Sequence, residues 1–482
     1  MRILTTAAFV IPAAGPGCAT VGSTNDDALD VMVAAARGAS AVDTVWPGYR
    51  PFDHGFIIFE PGSGAWLTTD EPPPAPWTAV HSAEPGLRDR LYHRSTDLPG
   101  LTGGIDTEYP IGEEGYPAVE IDPGTAGTLA TLYHEAFHTW QHSNFSDAPS
   151  GEFVPASGTT PAAVAAIELE RRILAAALGA GAGARADSLT AAFLAVRMQR
   201  LAEASDTVRT VDRMLERLEG TANLVGYQAA ATALGRDPER VRTTIIAMLE
   251  ADLADHAVDL ANRYYRWRAY GTGAAIGLLL DRLGSDWRAQ TAAGTPLDSL
   301  LLRAARIAPS PSLMAFAQDR FGYDDLLLDA RRDAPAVSAD PLAEFLARAP
   351  HRLVIEIVAD SGFSPSMSFD PGSEGWTTPE PSLTLLTAPS RASMTGAGFD
   401  LSVTNRPLII DGRAAPLLRL VVLLPEAARV NGTAPTAITG PIDGTLRFTG
   451  KGTELLLRGA NLLSIRLDPG VLTLRVRPPG ET

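Results

Sequence analysis

The chain has 482 residues, which is too long for one ordinary hydrophobic core and predicts two or three domains. Its formal net charge of -16 and its pI near 5.0 argue against nucleic acid as a partner, because phosphate binding requires clustered Lys and Arg. A single cysteine, Cys18, rules out an intramolecular disulfide and a cysteine-rich zinc site.

The first residues follow the order of a bacterial secretion signal. Arg2 precedes a mostly apolar stretch, and small residues follow up to Gly17 and Cys18. This order predicts a signal-like segment over residues 1–19 and an exported protein, periplasmic or at the cell surface. A lipid on Cys18 would be its one attachment to a membrane. The alternative is a disordered or mis-started N-terminus. No later segment has the roughly 20 uninterrupted apolar residues of a spanning helix.

Residues 20–124 predict an N-terminal α/β region. Asp26 to Arg37 has helical spacing and follows a capping residue. Between residues 46 and 122, Pro and Gly separate short β-like runs, of which 56–59 and 118–121 are the clearest. We therefore expect one helix and a small mixed sheet here.

Residues 125–349 predict a helical domain. Ala-, Leu-, Arg- and Glu-rich segments with helical spacing cover 125–144, 161–180, 186–233 and 238–283. Breaks are expected where Gly and Pro interrupt these segments.

In residues 350–482 apolar residues recur with a period of two, which is typical of strands. Asp411-Gly412 and Gly450-Lys451-Gly452 separate strand-like runs and indicate hairpin turns. We expect a separate all-β domain, either a sandwich or a barrel. The predicted fold class is therefore α+β, with a helical domain between two regions that contain sheets.

The chemistry-bearing motif is His134-Glu135-Ala136-Phe137-His138, in the first long helix. Histidines four residues apart lie one turn apart on the same helix face, so both imidazoles can bind one zinc ion. Glu135 is placed to accept a proton from metal-bound water rather than to bind the metal. The alternative is a pair of hydrogen-bonded histidines on a buried helix. A catalytic zinc needs a third protein ligand and keeps one position open.

His142 is not suited to be that ligand, because four further residues carry it about 6 Å along the helix axis. The metzincin pattern is excluded as well, since Gln141 and Asn144 occupy the positions of its glycine and its third histidine. A downstream ligand is therefore expected.

The segment Leu218-Glu219-Gly220-Thr221-Ala222 resembles the peptidase MA-like gluzincins, in which a second helix supplies a glutamate followed by small residues. The resemblance implies that Glu219 is the third zinc ligand and that the small residues let two helices approach closely. Glu216, one turn earlier, is the competing candidate.

A third segment, beginning at Tyr270-Gly271-Thr272-Gly273-Ala274, resembles the Tyr-x-x-Gly-Ala segment of gluzincin aminopeptidases. The resemblance implies that the Tyr270 hydroxyl stabilises the oxyanion of the tetrahedral intermediate. Trp46-Pro47-Gly48, 193–197 and 281–283 extend the likeness to uncharacterised bacterial members over residues 45–290. The interval of 81 residues from His138 to Glu219 exceeds that of thermolysin-like gluzincins, and an inserted helical pair near 161–205 would return the chain to the site.

The predicted function is zinc-dependent hydrolysis of peptide bonds in a peptide or protein substrate. The Gly-x-Met-Glu-Asn segment of the aminopeptidases is missing, which leaves endo- and exopeptidase action open. One alternative is a cell-surface binding or scaffold protein with a structural or vestigial zinc site and a ligand-binding β domain. Another is hydrolysis of a non-peptide bond by the same residues.

Overall fold

The computed structural model describes residues 25–477 apart from 100, 102–103, 113, 123, 147–158, 254–259, 261, 334–340, 359–365, 371–375, 381–382, 387–388, 390, 397–398, 414–416, 437, 443–444 and 459–460. The signal-like segment and Cys18 lie outside these described residues. The predicted α+β class is confirmed, with an N-terminal sheet, a central helical region and C-terminal sheets.

Helix α1, Asn25–Val42, and a six-stranded mixed sheet form the N-terminal region. The strands are β1 (Phe56–Glu60), β2 (Gly64–Thr68), β3 (Thr78–Ala79), β4 (Leu91–Arg94), β5 (Ile105–Ile111) and β6 (Glu114–Glu120). Their order is β3-β4-β2-β1-β6-β5, in which β1 and β6 are parallel and the other neighbours are antiparallel. Strand β1 is buried on both faces, because Ile58 joins the core shared with the helices and Ile57 joins a smaller core opposite.

Among the described residues, the central region consists of helices and two π-helical turns. In chain order they are α2 (Thr125–Asn144), α3 (Pro161–Gly179), α4 (Ala184–Glu203), α5 (Asp206–Leu215), a π-turn (Glu216–Gly220), α6 (Thr221–Ala233), α7 (Glu239–Glu250), a second π-turn (Asn262–Trp267), α8 (Arg268–Arg282), α9 (Arg288–Ala292), α10 (Leu297–Ala304), α11 (Pro311–Arg320), α12 (Tyr323–Asp333) and α13 (Pro341–Leu346). Helices α3 and α4 pack against each other and lie between α2 and the Glu216–Gly220 π-turn in the chain, where the sequence predicted a helical pair.

Two segments that the sequence pattern predicts as continuous helical stretches are each broken into separate helices in the structure. The segment 186–233 is broken at Ala204, whose backbone is extended, because Ser205 begins a new helix and its Oγ accepts a hydrogen bond from the Val208 amide. The segment 238–283 is broken at Ala251, which is also extended. Hydrophobic periodicity continues across such breaks, since both helices face the same core.

One hydrophobic core joins α1, the inner face of the N-terminal sheet and the helices as far as α12. The predicted N-terminal α/β region and the helical domain therefore share a core. Helix α13 instead packs on the C-terminal sheet, where Phe345 joins a small cluster with Leu385 and Leu423. None of the described helices combines the length and the hydrophobicity that a membrane-spanning segment requires.

The C-terminal strands form two sheets over a common core, which is a sandwich. The strands are β7 (His351–Val358), β8 (Ser366–Asp370), β9 (Trp376–Glu380), β10 (Leu383–Leu386), β11 (Arg391–Gly396), β12 (Phe399–Val403), β13 (Leu408–Asp411), β14 (Leu417–Leu424), β15 (Arg429–Val430), β16 (Ile438–Ile442), β17 (Thr445–Gly450), β18 (Thr453–Arg458), β19 (Asn461–Asp468) and β20 (Val471–Arg477). The eight-stranded sheet has the order β16-β19-β20-β7-β14-β13-β10-β9, and the six-stranded sheet has the order β15-β17-β18-β12-β11-β8.

Side-chain alternation explains how this sandwich packs. In β14, Leu420 and Val422 point into the core between the sheets, whereas Val421 and Leu423 point outward under α13. Both predicted hairpins are present, since β13 pairs with β14 and Gly450 pairs with Thr453 across the Lys451-Gly452 turn.

Candidate metal centre

The helix that carries the two histidines follows strand β6 and begins after Gly124. This glycine has a φ of 133°, a conformation that L side chains rarely adopt. The helix spans the predicted residues 125–144 and buries its apolar side against an aromatic cluster. Trp46 contacts Phe137 edge to face at 5.0 Å, and Trp140 donates a hydrogen bond to the carbonyl of Gly48. The Trp46-Pro47-Gly48 segment therefore packs against α2 through Phe137 and Trp140.

His134 and His138 direct their Nε2 atoms toward each other. The two nitrogens are 2.9 Å apart, and the rings are nearly perpendicular. His134 is buried, while 22% of the His138 side chain is exposed. The predicted spacing thus gives two imidazole nitrogens that converge on one point at the edge of the protein interior.

Glu219 completes the group from the π-turn that precedes α6. Its Oε2 lies 3.5 Å from His134 Nε2 and 3.3 Å from His138 Nε2. The ligand atoms of the three side chains all lie within 4.8 Å of one another, so the group could hold a metal ion. A tetrahedral ion with bonds of about 2.0–2.2 Å separates its ligand atoms by about 3.3–3.5 Å. The two distances from Glu219 to the imidazoles match one ion bound by all three residues, whereas the 2.9 Å between the two Nε2 atoms is shorter than this spacing.

The competing candidate, Glu216, lies outside this group. Its carboxylate accepts two hydrogen bonds of 2.8 Å from Arg197 and one of 2.9 Å from Thr272, and it also pairs with Arg268. A π-turn has more residues per turn than an α-helix, so side chains three residues apart diverge further around its axis. Glu216 therefore faces the interior of the helical bundle while Glu219 faces the histidines.

Glycines let α2, α8 and the segment formed by the π-turn and α6 approach one another closely, and this packing positions the side chains of the site. A Cβ on Gly226 would lie 2.5 Å from the carbonyl oxygen of Ala130 and 3.2 Å from the Cβ of His134, so α6 contacts α2 there. A Cβ on Gly220 would lie 2.5 Å from the Cα of Gly273, so the π-turn contacts α8. The sequence interpretation, in which Gly220 lets the glutamate-bearing segment approach the histidine helix, is wrong. Gly220 faces α8, and Gly226 allows the close approach to α2.

Glu135 is buried beside the three-residue group without belonging to it. Its Oε1 is 4.0 Å from His134 Nε2, and the side chain is 5% exposed. A carboxylate at this distance is adjacent to any ion held by the group. The structure therefore places Glu135 where the sequence predicted it, next to the ligand atoms.

Tyr270 packs against the ring of His134. The two rings stack with centroids 5.6 Å apart and an angle of 19°. The amide of Asn223, on α6, donates a hydrogen bond to the carbonyl of Tyr270 and fixes this part of α8. Burial, followed by the Glu219 carboxylate, raises the pKa of Tyr270 well above its ordinary value. The phenol consequently keeps its proton at neutral pH and can act as a hydrogen-bond donor.

Two further side chains contact the ligand group, and sequence analysis did not identify either. Nη2 of Arg266, in the second π-turn, is 3.3 Å from Oε1 of Glu219. Oε1 of Gln141 is 2.7 Å from Nδ1 of His138. Gln141 is three residues after His138 and Arg266 is four residues before Tyr270. Both spacings place these side chains on the helix face of a predicted site residue, which is the signal that could have identified them.

Charge within the site is balanced by opposite pKa shifts. Burial alone would lower the pKa of His138, but Glu219 and then Glu135 overcome it and raise the pKa to about 9. Burial alone would raise the pKa of Glu219, but contacts with His138 and His134 hold it well below its ordinary range. Between the protein groups alone, a carboxylate thus stabilises positive charge at the point where the three side chains converge.

His142 is exposed on the next turn of α2 and takes no part in the group, as its spacing predicted. Comparison with known proteins adds no relative, because no protein-family profile, curated protein or solved structure matches the chain. The resemblance to gluzincins therefore stays a prediction that depends on the residues quoted above. The His134, His138 and Glu219 group is a buried three-residue site that could hold a metal ion.

Proposed function

We propose that this protein is a zinc-dependent peptidase in which Glu135 acts as the general base. The observation that carries the proposal is the convergence of two imidazoles from α2 with one carboxylate from the π-turn before α6, with both Glu135 and Tyr270 next to His134. A purely structural site has no need of an additional buried carboxylate beside the ligands, nor of a protonated phenol facing them.

His134, His138 and Glu219 would hold the ion. Three protein ligands of this kind, with one position left open, are the usual set for catalytic zinc. When bound there, zinc would lower the pKa of a water molecule toward neutrality and polarise a carbonyl group. Imidazole with carboxylate also binds other divalent metals, so the choice of zinc is part of the proposal.

Glu135 would accept the proton of the attacking water and pass it to the leaving amine. Its burial keeps the carboxylate away from bulk water, and its 4.0 Å separation from His134 Nε2 keeps it close to the ligand atoms. Tyr270 would donate a hydrogen bond to the oxygen on which negative charge develops. Its raised pKa supports this role, because an ionised phenolate would repel that charge.

A strand edge that contacts the histidine-bearing helix favours a peptide as the substrate. Strand β5 is the last strand of the N-terminal sheet as described, it pairs with β6 on one side, and it contacts α2. A peptide in extended conformation can pair with such an edge through its main chain.

The test is the metal content of the purified full chain, measured by elemental mass spectrometry for the natural protein and for Glu219→Ala. Glu239→Ala, which changes an exposed glutamate of α7, is the matched control. We expect about one zinc per chain in the natural protein and the control, and far less in Glu219→Ala. Screening of the zinc-loaded protein against a peptide library should then reveal cleavage that a chelator abolishes.

No zinc after reconstitution would overturn the proposal and favour a binding or scaffold protein. Zinc without peptide cleavage would instead direct the search toward non-peptide substrates.

A further inference from the structure

We infer that Gln141 is a positioning residue that joins the histidine ligand and the glutamate ligand through one side-chain amide. This inference rests on the proposed zinc site. Gln141 is 2% exposed, lies in the last part of α2, and reaches the π-turn at Glu216–Gly220. It touches no ligand atom of the site, so any effect must pass through the residues that it contacts.

The hydrogen bonds of the amide fix its orientation. Nε2 of Gln141 donates to the carbonyl of Leu218 at 3.0 Å and to Oγ1 of Thr221 at 2.9 Å. Leu218 and Thr221 flank Glu219 in the chain. Because a carbonyl can only accept, the nitrogen of the amide must point toward the π-turn. Its oxygen, Oε1, therefore points toward His138.

The orientation of the amide in turn fixes the hydrogen on His138. Oε1 of Gln141 is 2.7 Å from His138 Nδ1, and an amide oxygen is an acceptor, so Nδ1 must carry the hydrogen. In the neutral ring the lone pair then lies on Nε2, the atom that faces His134 and Glu219. Gln141 thus selects the tautomer that binds metal through Nε2 and also holds the turn that presents the carboxylate.

The experiment measures the zinc affinity of the full chain by competition with a chelator, for Gln141→Met and Gln141→Glu. Gln141→Met keeps the length of the side chain and removes its hydrogen bonds. We expect it to bind zinc about 10- to 100-fold more weakly than the natural protein, the usual effect of losing a partner of a metal ligand. Gln141→Glu keeps an oxygen acceptor for Nδ1 and should bind zinc more tightly than Gln141→Met.

Gln228→Met is the matched control, because Gln228 is a half-buried glutamine of α6 that lies outside the ligand group. A second readout is the proton NMR signal of the His138 Nδ1–H in the zinc-loaded protein, assigned by its loss in His138→Ala. A hydrogen bond to Oε1 protects this proton from exchange with water. The signal should be present in the natural protein and in Gln228→Met and should disappear in Gln141→Met.

Unchanged zinc affinity in Gln141→Met, or an equal loss in Gln228→Met, would overturn the inference. So would a protected Nδ1–H signal that persists in Gln141→Met. If Gln141→Met does not fold, Gln141→Glu decides through the same signal, which it should retain. A natural protein that binds zinc without cleaving peptides would defeat the proposed function and leave this inference intact, whereas one that binds no zinc would defeat both.

Discussion

The helical region and the C-terminal sandwich bury different kinds of side chain. Among the described residues after 350, the buried polar side chains are Thr453 and Thr473, and the core between the sheets is apolar. The helical region buries the proposed site and, in addition, a network of three arginines and three acids. The network consists of Glu170, Arg197, Arg200, Asp212, Glu216 and Arg268.

Buried charge is thus concentrated in the helical region, although burying charged groups is energetically unfavourable. The network joins α3, α4, α5, the first π-turn and α8, and its formal charges cancel. It includes Glu216, three residues before Glu219. Apolar packing could have filled the same volume, often without loss of stability. At this place the ion pairs connect the Glu216 carboxylate of the π-turn to α4 and α8, whereas the sandwich core is packed by alternating apolar side chains.

The largest expected effect is on catalysis, and it distinguishes the proposed catalytic carboxylate of Glu135 from the carboxylates of the ion-pair network. Glu135→Gln should lower peptide hydrolysis by about 10²- to 10⁴-fold, because the amide cannot accept a proton. Zinc content and the free energy of unfolding should remain near those of the natural protein. Steady-state kinetics, elemental mass spectrometry and urea unfolding measure the three quantities, with Glu239→Gln as the control. Near-normal turnover in Glu135→Gln would remove Glu135 from the mechanism.

The second prediction compares an acid of the network with an acid of the sandwich. Glu216→Ala leaves Arg197 and Arg268 without this carboxylate and should lower the free energy of unfolding by about 3–5 kcal/mol. Glu454→Ala removes a 45% exposed side chain from β18 and should change it by less than about 0.5 kcal/mol. Urea unfolding followed by circular dichroism measures both. Similar values for the two variants would contradict the contrast between the regions.

The smallest effect concerns acid stability. Burial alone would raise the pKa of Asp212 and Glu216, but Arg200 and Arg268 overcome it for Asp212, and Arg197 and Arg268 do so for Glu216. Both pKa values are thus lower in the folded protein than in the unfolded chain. The stabilisation is fully present above the unfolded pKa values of about 4 and is lost as the pH falls below them.

Unfolding in urea at pH 7 and at pH 3 tests this dependence. The free energy of unfolding should fall more steeply in the natural protein than in Glu216→Gln, which lacks one titrating carboxylate. Equal slopes in the two proteins would show that the carboxylate of Glu216 contributes nothing to acid stability.

Much of the fold was predictable because it depends on local periodicity. The change from a helical period to a period of two near residue 350 marks the start of β7, and the glycine turns mark the hairpins. The break at Ala204 was not predictable from periodicity, since apolar side chains on both sides of it join one core. The choice between sandwich and barrel depends on which strands pair, and alternation within each strand does not specify that.

The sequence by itself determined that His134 and His138 share one helix face, because four residues complete about one helical turn, and that Glu135 projects about 100° around the helix from His134. The resemblance implied Glu219 and Tyr270, whereas only the tertiary structure showed that Glu219 and not Glu216 meets the histidines and that Gln141 and Arg266 contact the ligands. Glu216 and Glu219 are chemically alike, and the arginines that pair with Glu216 come from α4 and α8, far away in the chain. The contact between Gln141 and His138 likewise selects one imidazole tautomer only because Leu218 and Thr221 fix the orientation of the amide. Spacing along a helix is a local property, whereas the partner of a buried polar group depends on which elements pack together.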